Sequence, residues 1–180
     1  MKESSAQPLF RRRLRGEELH HFLESIAAQG TGADGLLFLC IGTDRSTGDA
    51  LGPIVGTLLE EAGYRHVVGT LASPLDASNM VERIKQVPLQ DYTVIAIDAC
   101  LGQQASLESY QVSNQPIEPG KSLGKLLPPL GDYSIAAIVN VDTGQKYAIL
   151  QSTSLYRVMR MSREIVSAVQ KVFPVGGQDV

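Results

Sequence analysis

Apolar and polar residues follow two patterns along this chain, one with the period of an α-helix and one typical of buried strands. Short apolar runs predict strands at 36–42, 66–71, 92–98 and 134–142. Between these runs, apolar residues recur every three or four positions and predict helices at 15–29, 50–62, 77–86 and 154–172. Alternating helices and strands that are apolar on both faces are typical of a mostly parallel sheet covered by helices. The pattern therefore predicts an α/β protein, a three-layer α/β/α sandwich.

Three further segments have weaker patterns. Residues 108–113 alternate between polar and apolar and predict a short, more exposed strand. Residues 147–151 are expected to add a hairpin partner. Residues 115–132 are rich in proline and glycine and predict a long loop with one helical turn at 123–127. Long loops in compact domains are often functional, which makes this loop a candidate functional segment.

Composition limits the classes of protein to consider. The 180 residues, 43% hydrophobic and 19% charged, suit a single domain at 15–180 preceded by a flexible, polar segment at 1–14. A net charge of −3 gives no indication of direct nucleic-acid binding. With no signal sequence and no run of membrane-spanning length, a cytoplasmic protein without a membrane partner is expected. Cys40 and Cys100 lack the spacing of a metal site and predict free thiols.

Two aspartates are the candidate catalytic residues. Asp49 lies where a loop of small and polar residues opens the helix at 50–62, and Asp98 ends the apolar strand at 92–98. Parallel strands of one sheet deliver such residues to the same edge, where α/β folds bind ligands. The structural alternative for Asp49 is a helix N-cap, and for Asp98 it is a cap of the following turn.

A pair of close carboxyl groups cannot easily ionise at both sites, so one pKa rises and the pair shares a proton. One group then activates a water molecule as a base, while the other protonates the leaving amine. We expect Asp98 to carry the proton, because the helix dipole favours ionised Asp49. This chemistry hydrolyses a peptide bond without a metal or another cofactor.

The loop between the first strand and Asp49 offers candidate substrate-binding residues, namely Thr43, Asp44, Arg45 and Gly48. Arg45 could hold a substrate carboxylate, and the alternative is an Asp44–Arg45 pair that stabilises the loop. The glycine permits close backbone approach. A phosphate-binding function is weakly indicated, since the loop lacks the lysine and the glycine spacing of known nucleotide motifs.

The run from Cys40 to Pro53, together with Ile97-Asp98-Ala99, resembles a family of sporulation proteins of spore-forming Firmicutes, related to the spore germination protease. The resemblance implies a phosphorylase/hydrolase-like fold, shared with the hydrogenase-maturation endopeptidases, and catalytic roles for Asp49 and Asp98. It also implies an aspartic-type endopeptidase of the sporulating cell or spore interior that cleaves small acid-soluble spore proteins.

Two alternatives stay open beside that function. The first is a metal-dependent maturation-type endopeptidase, in which equivalent acids bind nickel together with a histidine. This chain has no histidine in a suitable late loop. The second is a non-catalytic binding protein that retains the fold. Homo-oligomerisation is left open by the sequence.

Overall fold

The computed structural model describes residues 8–119 and 127–176. Within these residues the strands are β1 (Arg11–Leu14), β2 (Leu36–Cys40), β3 (Val67–Val68), β4 (Thr93–Gly102), β5 (Tyr110–Ser113) and β6 (Tyr133–Val141). The α-helices are α1 (Leu19–Ala27), α2 (Leu51–Glu61), α3 (Met80–Lys85), α4 (Lys146–Gln151) and α5 (Leu155–Val172). The predicted α/β class is confirmed.

The strands form one mostly parallel sheet in the order β1-β5-β6-β4-β2-β3. Strands β3, β2, β4 and β6 run parallel to one another, whereas β5 is antiparallel to both β6 and β1. The parallel strands deliver their carboxyl ends to one edge, which is where α/β folds place ligands. The ends of β2 and β4 are adjacent there, because β2 pairs directly with β4.

Helices α1, α2 and α5 cover one face of the sheet and enclose the main hydrophobic core. The amphipathic stripe of α5 buries Val158, Met161 and Ile165 completely, and the Ser154 hydroxyl caps this helix by accepting a hydrogen bond from the Arg157 amide. A smaller core lies on the other face, where Leu75 and Met80 pack against β2 and β4. Both cores pack against the parallel strands whose ends form the sheet edge described below.

The N-terminal segment differs from its prediction. Residues 11–14 form the edge strand β1 rather than a flexible arm, with Arg11 opposite Ser113 and Leu14 opposite Tyr110 in β5. The strand was not predicted because its arginine side chains are exposed, so the segment has no apolar pattern, although its backbone pairs with the sheet. An arginine-rich edge also discourages pairing with other chains.

Three other elements were predicted incorrectly. Residues 147–151 lie in helix α4 instead of a hairpin strand, because only Leu150 faces the core while Tyr147 is exposed. The segment 108–113 is not an exposed strand, since β5 lies between β1 and β6 and fully buries Tyr110. The predicted strand at 66–71 is reduced to the two residues of β3. The predicted turn at 123–127 lies outside the described residues except for Leu127.

Across the described part of the chain, no helix combines the length and the apolar character needed to cross a membrane.

Candidate active site

The loop after β2 folds back tightly on the strand that precedes it. Gly42 has a φ of +145°, and a Cβ atom there would lie 2.0 Å from the Asp49 carbonyl oxygen. A Cβ atom at Gly52 would lie 2.0 Å from the Ile41 carbonyl oxygen. The Thr43 amide closes the loop by donating to the Asp49 carbonyl at 3.1 Å. Glycine is therefore required where helix α2 begins against the end of β2.

This loop brings Asp49 to the sheet edge without using it as a cap. Asp49 lies in a single 3-10 turn, Gly48–Ala50, that runs directly into α2. The caps of this turn and of α2 are Thr47 and Ala50, and neither cap involves a side-chain hydrogen bond. The N-cap alternative for Asp49 is therefore wrong, and its partly buried carboxyl is available for another role.

Asp98 lies inside a strand rather than at its end. Strand β4 continues to Gly102, and Asp98 is in register with Ala136 of β6. The cap alternative for Asp98 is thus wrong as well. Its Oδ1 atom accepts a hydrogen bond from the Ala99 amide at 2.8 Å. The pairing of β4 with β6 shifts register between Cys100 and Leu101, and irregularities of this kind are common beside active sites.

Asp49 and Asp98 line one cavity of about 300 Å³, here called the acid cavity. Burial raises the pKa of Asp98 well above its ordinary value, the charge of Asp49 raises it further, and the Ala99 amide opposes this. Burial also raises the pKa of Asp49. These directions favour the protonated form of Asp98 more strongly than that of Asp49. A catalytic role for the pair stays a prediction.

The predicted binding residues divide into two groups. Thr43 and Arg45 line the acid cavity. Asp44 is exposed and lies outside the cavity lining, and Gly48 is buried against Leu150, whose Cδ2 atom a Cβ would meet at 2.8 Å. The structure therefore brings two of these four residues to the acids. A function of Thr43 and Arg45 in substrate binding stays a prediction.

Arg45 and Asp76 both line the acid cavity, whereas Asp44 does not. Among the described residues Asp44 and Arg45 form no ion pair, so the Asp44–Arg45 alternative is wrong. Burial of Asp76 raises its pKa, but hydrogen bonds from Ser78 and Asn79 and the charge of Arg45 outweigh this and lower it. Asp76 is thus an ionised group that lines the cavity, and its carboxylate already accepts hydrogen bonds from the turn before α3.

Several residues of the acid cavity were not identified from the sequence. They are Ile41, Asp76, Ser78, Met80, Cys100, Leu101, Tyr147 and Leu150. Pro119 and Leu127, from the predicted long loop, also line it, so the proline and glycine content of that loop was a useful signal. Tyr147 had no such signal, because α4 was predicted as a strand.

The donor atoms of this site do not fit a nickel or zinc ion. Such sites usually hold the metal with three or four nitrogen, sulfur or carboxylate donors. Within residues 8–119 and 127–176, three or more such side chains approach each other only at His20, His21 and Glu24. That group lies on α1, outside the acid cavity. Among these residues, Asp49 and Asp98 therefore form no such group with a third donor, although Asp76 and Cys100 also line the cavity.

Residues 12–168 match the family model described as Protein of unknown function (DUF1256). The chain belongs to this family. It is also 42% identical over 138 residues to the uncharacterized protein YyaC of Bacillus subtilis (strain 168), covering 74% of this chain and 67% of YyaC.

The fold is similar to that of a solved protease. The crystal structure of the NiFe hydrogenase maturation protease HycI from Thermococcus kodakarensis KOD1 matches 83% of this chain and 99% of its own, with a TM-score of 0.50. Sequence identity between the two chains is 16%, so the similarity shows a shared fold. It agrees with the fold shared with hydrogenase-maturation endopeptidases that the sequence resemblance implied.

Proposed function

We propose that this protein is an endopeptidase that hydrolyses peptide bonds with Asp49 and Asp98. The observation that carries the proposal is the placement of both side chains in one cavity, with a raised pKa at each. Two acids that share a proton provide a base and an acid at the same time. The fold shared with a maturation protease supports this reaction class and a protein substrate.

In the proposed reaction, ionised Asp49 accepts a proton from a water molecule, and the water oxygen forms a bond with the scissile carbonyl carbon. Protonated Asp98 then donates its proton to the amide nitrogen as the carbon–nitrogen bond breaks. The products are a carboxylic acid and an amine, with Asp49 protonated and Asp98 ionised. Proton transfer from Asp49 to Asp98 within the cavity restores the starting state.

Two versions of an endopeptidase differ in their support. The maturation type is supported by a matching fold. Its metal-dependent form would need three donor side chains close to one another, and the described residues of the acid cavity form no such cluster. The germination type, with small acid-soluble spore proteins as substrates and a sporulation context, has the sequence resemblance as its support. The maturation type is accordingly the better supported of the two versions, with the acid pair in place of a metal.

The test is cleavage of a peptide library by the purified full chain, with new termini identified by mass spectrometry. Small acid-soluble spore proteins form a second substrate arm. We expect cleavage by the wild type and a loss of about 100-fold or more in Asp49→Asn and Asp98→Asn. Asp44→Asn, an exposed acid of the same loop, is the matched control and should retain activity.

Three results would contradict parts of this proposal. Absence of cleavage in both substrate arms, with Asn variants indistinguishable from the wild type, would favour a non-catalytic binding protein. Activity that a chelator removes and nickel or zinc restores would favour the metal-dependent alternative. Cleavage that persists in either Asn variant would remove that residue from the mechanism.

A further inference from the structure

Helix α1 has a polar outer face that the acid pair does not use. Its inner face is buried in the main core through Leu19, Phe22, Leu23 and Ile26. The opposite face, which includes the end of the 3-10 turn before α1, has four side chains of types that bind metals: Glu17, His20, His21 and Glu24. Their spacing of i, i+3, i+4 and i+7 places all four on one side of the helix. The packing of α1 on the core therefore directs these four side chains away from it.

Three of the four side chains already lie close together. One ligand atom from each of His20, His21 and Glu24 lies within 4.8 Å of the other two. The two imidazole centroids are 3.9 Å apart, and Nδ1 of His21 is 3.1 Å from Oε2 of Glu24. Donor atoms around a tetrahedral zinc ion are about 3.3–3.4 Å apart, since the bonds to the metal are about 2.0–2.1 Å long. Small side-chain rotations would thus bring the three donors to one ion.

The types of donor indicate which ions this face suits. Two imidazoles and a carboxylate are ligands of zinc and of neighbouring divalent transition metals, whereas Mg²⁺ and Ca²⁺ require oxygen ligands. Three protein ligands leave further coordination positions for water. The side chains of His21 and Glu24 are 69% and 54% exposed, so an ion can reach them directly from solvent.

The charges around this face make nitrogen coordination decisive. Three cations of α5 line a depression of about 510 Å³ together with Glu17 and His20, namely Arg160, Arg163 and Lys171. Arg160 is paired with two glutamates, whereas Arg163 and Lys171 have no ion-pair partner among the described residues. Glu17 is likewise unpaired there and offsets part of this positive charge. An ion attracted by charge alone would gain little at this face, so we expect selectivity for metals that bind imidazole.

We propose that the outer face of α1 is a binding site for a divalent transition metal ion such as Zn²⁺ or Ni²⁺, with His20, His21 and Glu24 as its ligands. The inference does not depend on the endopeptidase function, because the site lies outside the acid cavity. The ion would replace the hydrogen bond between His21 and Glu24 with coordination bonds to both. It would thereby link two successive turns of α1, which stabilises the folded protein.

The test is isothermal titration calorimetry of the untagged, full-length protein with Zn²⁺, and with Mg²⁺ as the comparison ion. We expect one Zn²⁺ per chain with a Kd on the order of 10 μM, and no binding of Mg²⁺ at the same concentrations. His20→Ala and His21→Ala should each weaken Zn²⁺ binding about tenfold or more, and Glu24→Gln about threefold to tenfold. Zn²⁺ at about 100 times its Kd should raise the Tm of the wild type by about 5 °C.

The chain provides matched controls for both ligand types. Its third histidine, His66, lies outside α1 and packs against Tyr92, with ring centroids 4.5 Å apart. His66→Ala should retain the wild-type affinity for Zn²⁺, and so should Glu61→Gln, which changes an exposed glutamate at the end of α2. In NMR spectra, Zn²⁺ should shift the imidazole signals of His20 and His21 but leave those of His66 in place.

Three results would overturn the site. The first is no detectable binding of Zn²⁺ at about 1 mM. The second is an affinity that is unchanged in both His20→Ala and His21→Ala. The third is binding that Asp49→Asn abolishes and His20→Ala retains, which would place the ion in the acid cavity and favour the metal-dependent alternative. None of these measurements uses peptide cleavage, so the metal site and the endopeptidase can fail independently.

Discussion

Replacement of Gly52 by alanine tests whether the glycine motif positions the acid pair. The new Cβ atom would lie 2.0 Å from the Ile41 oxygen and 2.8 Å from the Ile41 nitrogen, both of which belong to the backbone. An ordinary contact is no shorter than 3.4 Å, so α2 and the end of β2 must separate by about 1.4 Å. Since Asp49 immediately precedes α2, this movement displaces its carboxyl group relative to Asp98 on β4.

The magnitude follows from two opposing terms. Overpacking in a rigid core costs about 1–3 kcal/mol, and the greater helix propensity of alanine offsets about 0.5–1 kcal/mol. We expect a net loss near 2 kcal/mol in the free energy of unfolding because the clash involves backbone atoms. For a chain of this length, that loss lowers Tm by about 4–8 °C. A displacement of about 1 Å at a reacting group can reduce the rate about 100-fold, which is the expected loss of cleavage.

The assay combines thermal unfolding followed by circular dichroism with the peptide-cleavage measurement. Gly32→Ala is the control, because a Cβ atom there meets no atom within 4 Å. It should match the wild type in both measurements. If Gly52→Ala also retained wild-type Tm and activity, the close approach of α2 to β2 would not be what positions Asp49.

Three further predictions concern groups that burial perturbs. Because the folded-state pKa of Asp98 is raised above its ordinary value of 3.8, its contribution to stability is complete below that value and is lost as pH rises through the raised pKa. Asp98→Asn should therefore gain stability relative to the wild type as pH rises from about 4 to 7, and a constant difference in urea unfolding would refute this. Tyr110→Phe should lose about 1–3 kcal/mol in urea unfolding, because the Tyr110 hydroxyl donates to the Glu164 carboxylate at 2.6 Å; an unchanged midpoint would contradict this. Burial, together with the charge of Asp98, raises the pKa of Cys100 to about 12, so thiol reagents at neutral pH should modify it much faster after unfolding than before. Equal rates in the two states would show an accessible thiolate.

The periodicity of the sequence predicted the parallel half of the fold well. The strands β2, β4 and β6 and the helices α2 and α5 follow local patterns of apolar residues, and each lies within a few residues of its prediction. The antiparallel half was predicted less well. Strand β1 consists mainly of arginines and exists because β5 provides its hydrogen-bond partners, a non-local contribution that periodicity does not record.

The residues of the candidate site were likewise predicted only in part. Asp49 and Asp98 were identified from their positions relative to apolar runs, and the structure places both in the acid cavity. Tyr147 was not identified, because it reaches the acid cavity through α4, whose placement depends on distant partners. Local sequence also allowed Asp49 to be a helix N-cap, an alternative that the direct continuation of its 3-10 turn into α2 excludes.

The sequence by itself determined the class of the fold, the positions of the two acids and the glycines that allow the loop after β2 to close. These are local properties, set by the burial period of each element and by the backbone conformations that each residue can adopt. Tertiary structure alone decided that the acids share one cavity and that burial raises the pKa of each. Those properties depend on distances between distant segments and on the exclusion of water, which exist only after the sheet has assembled.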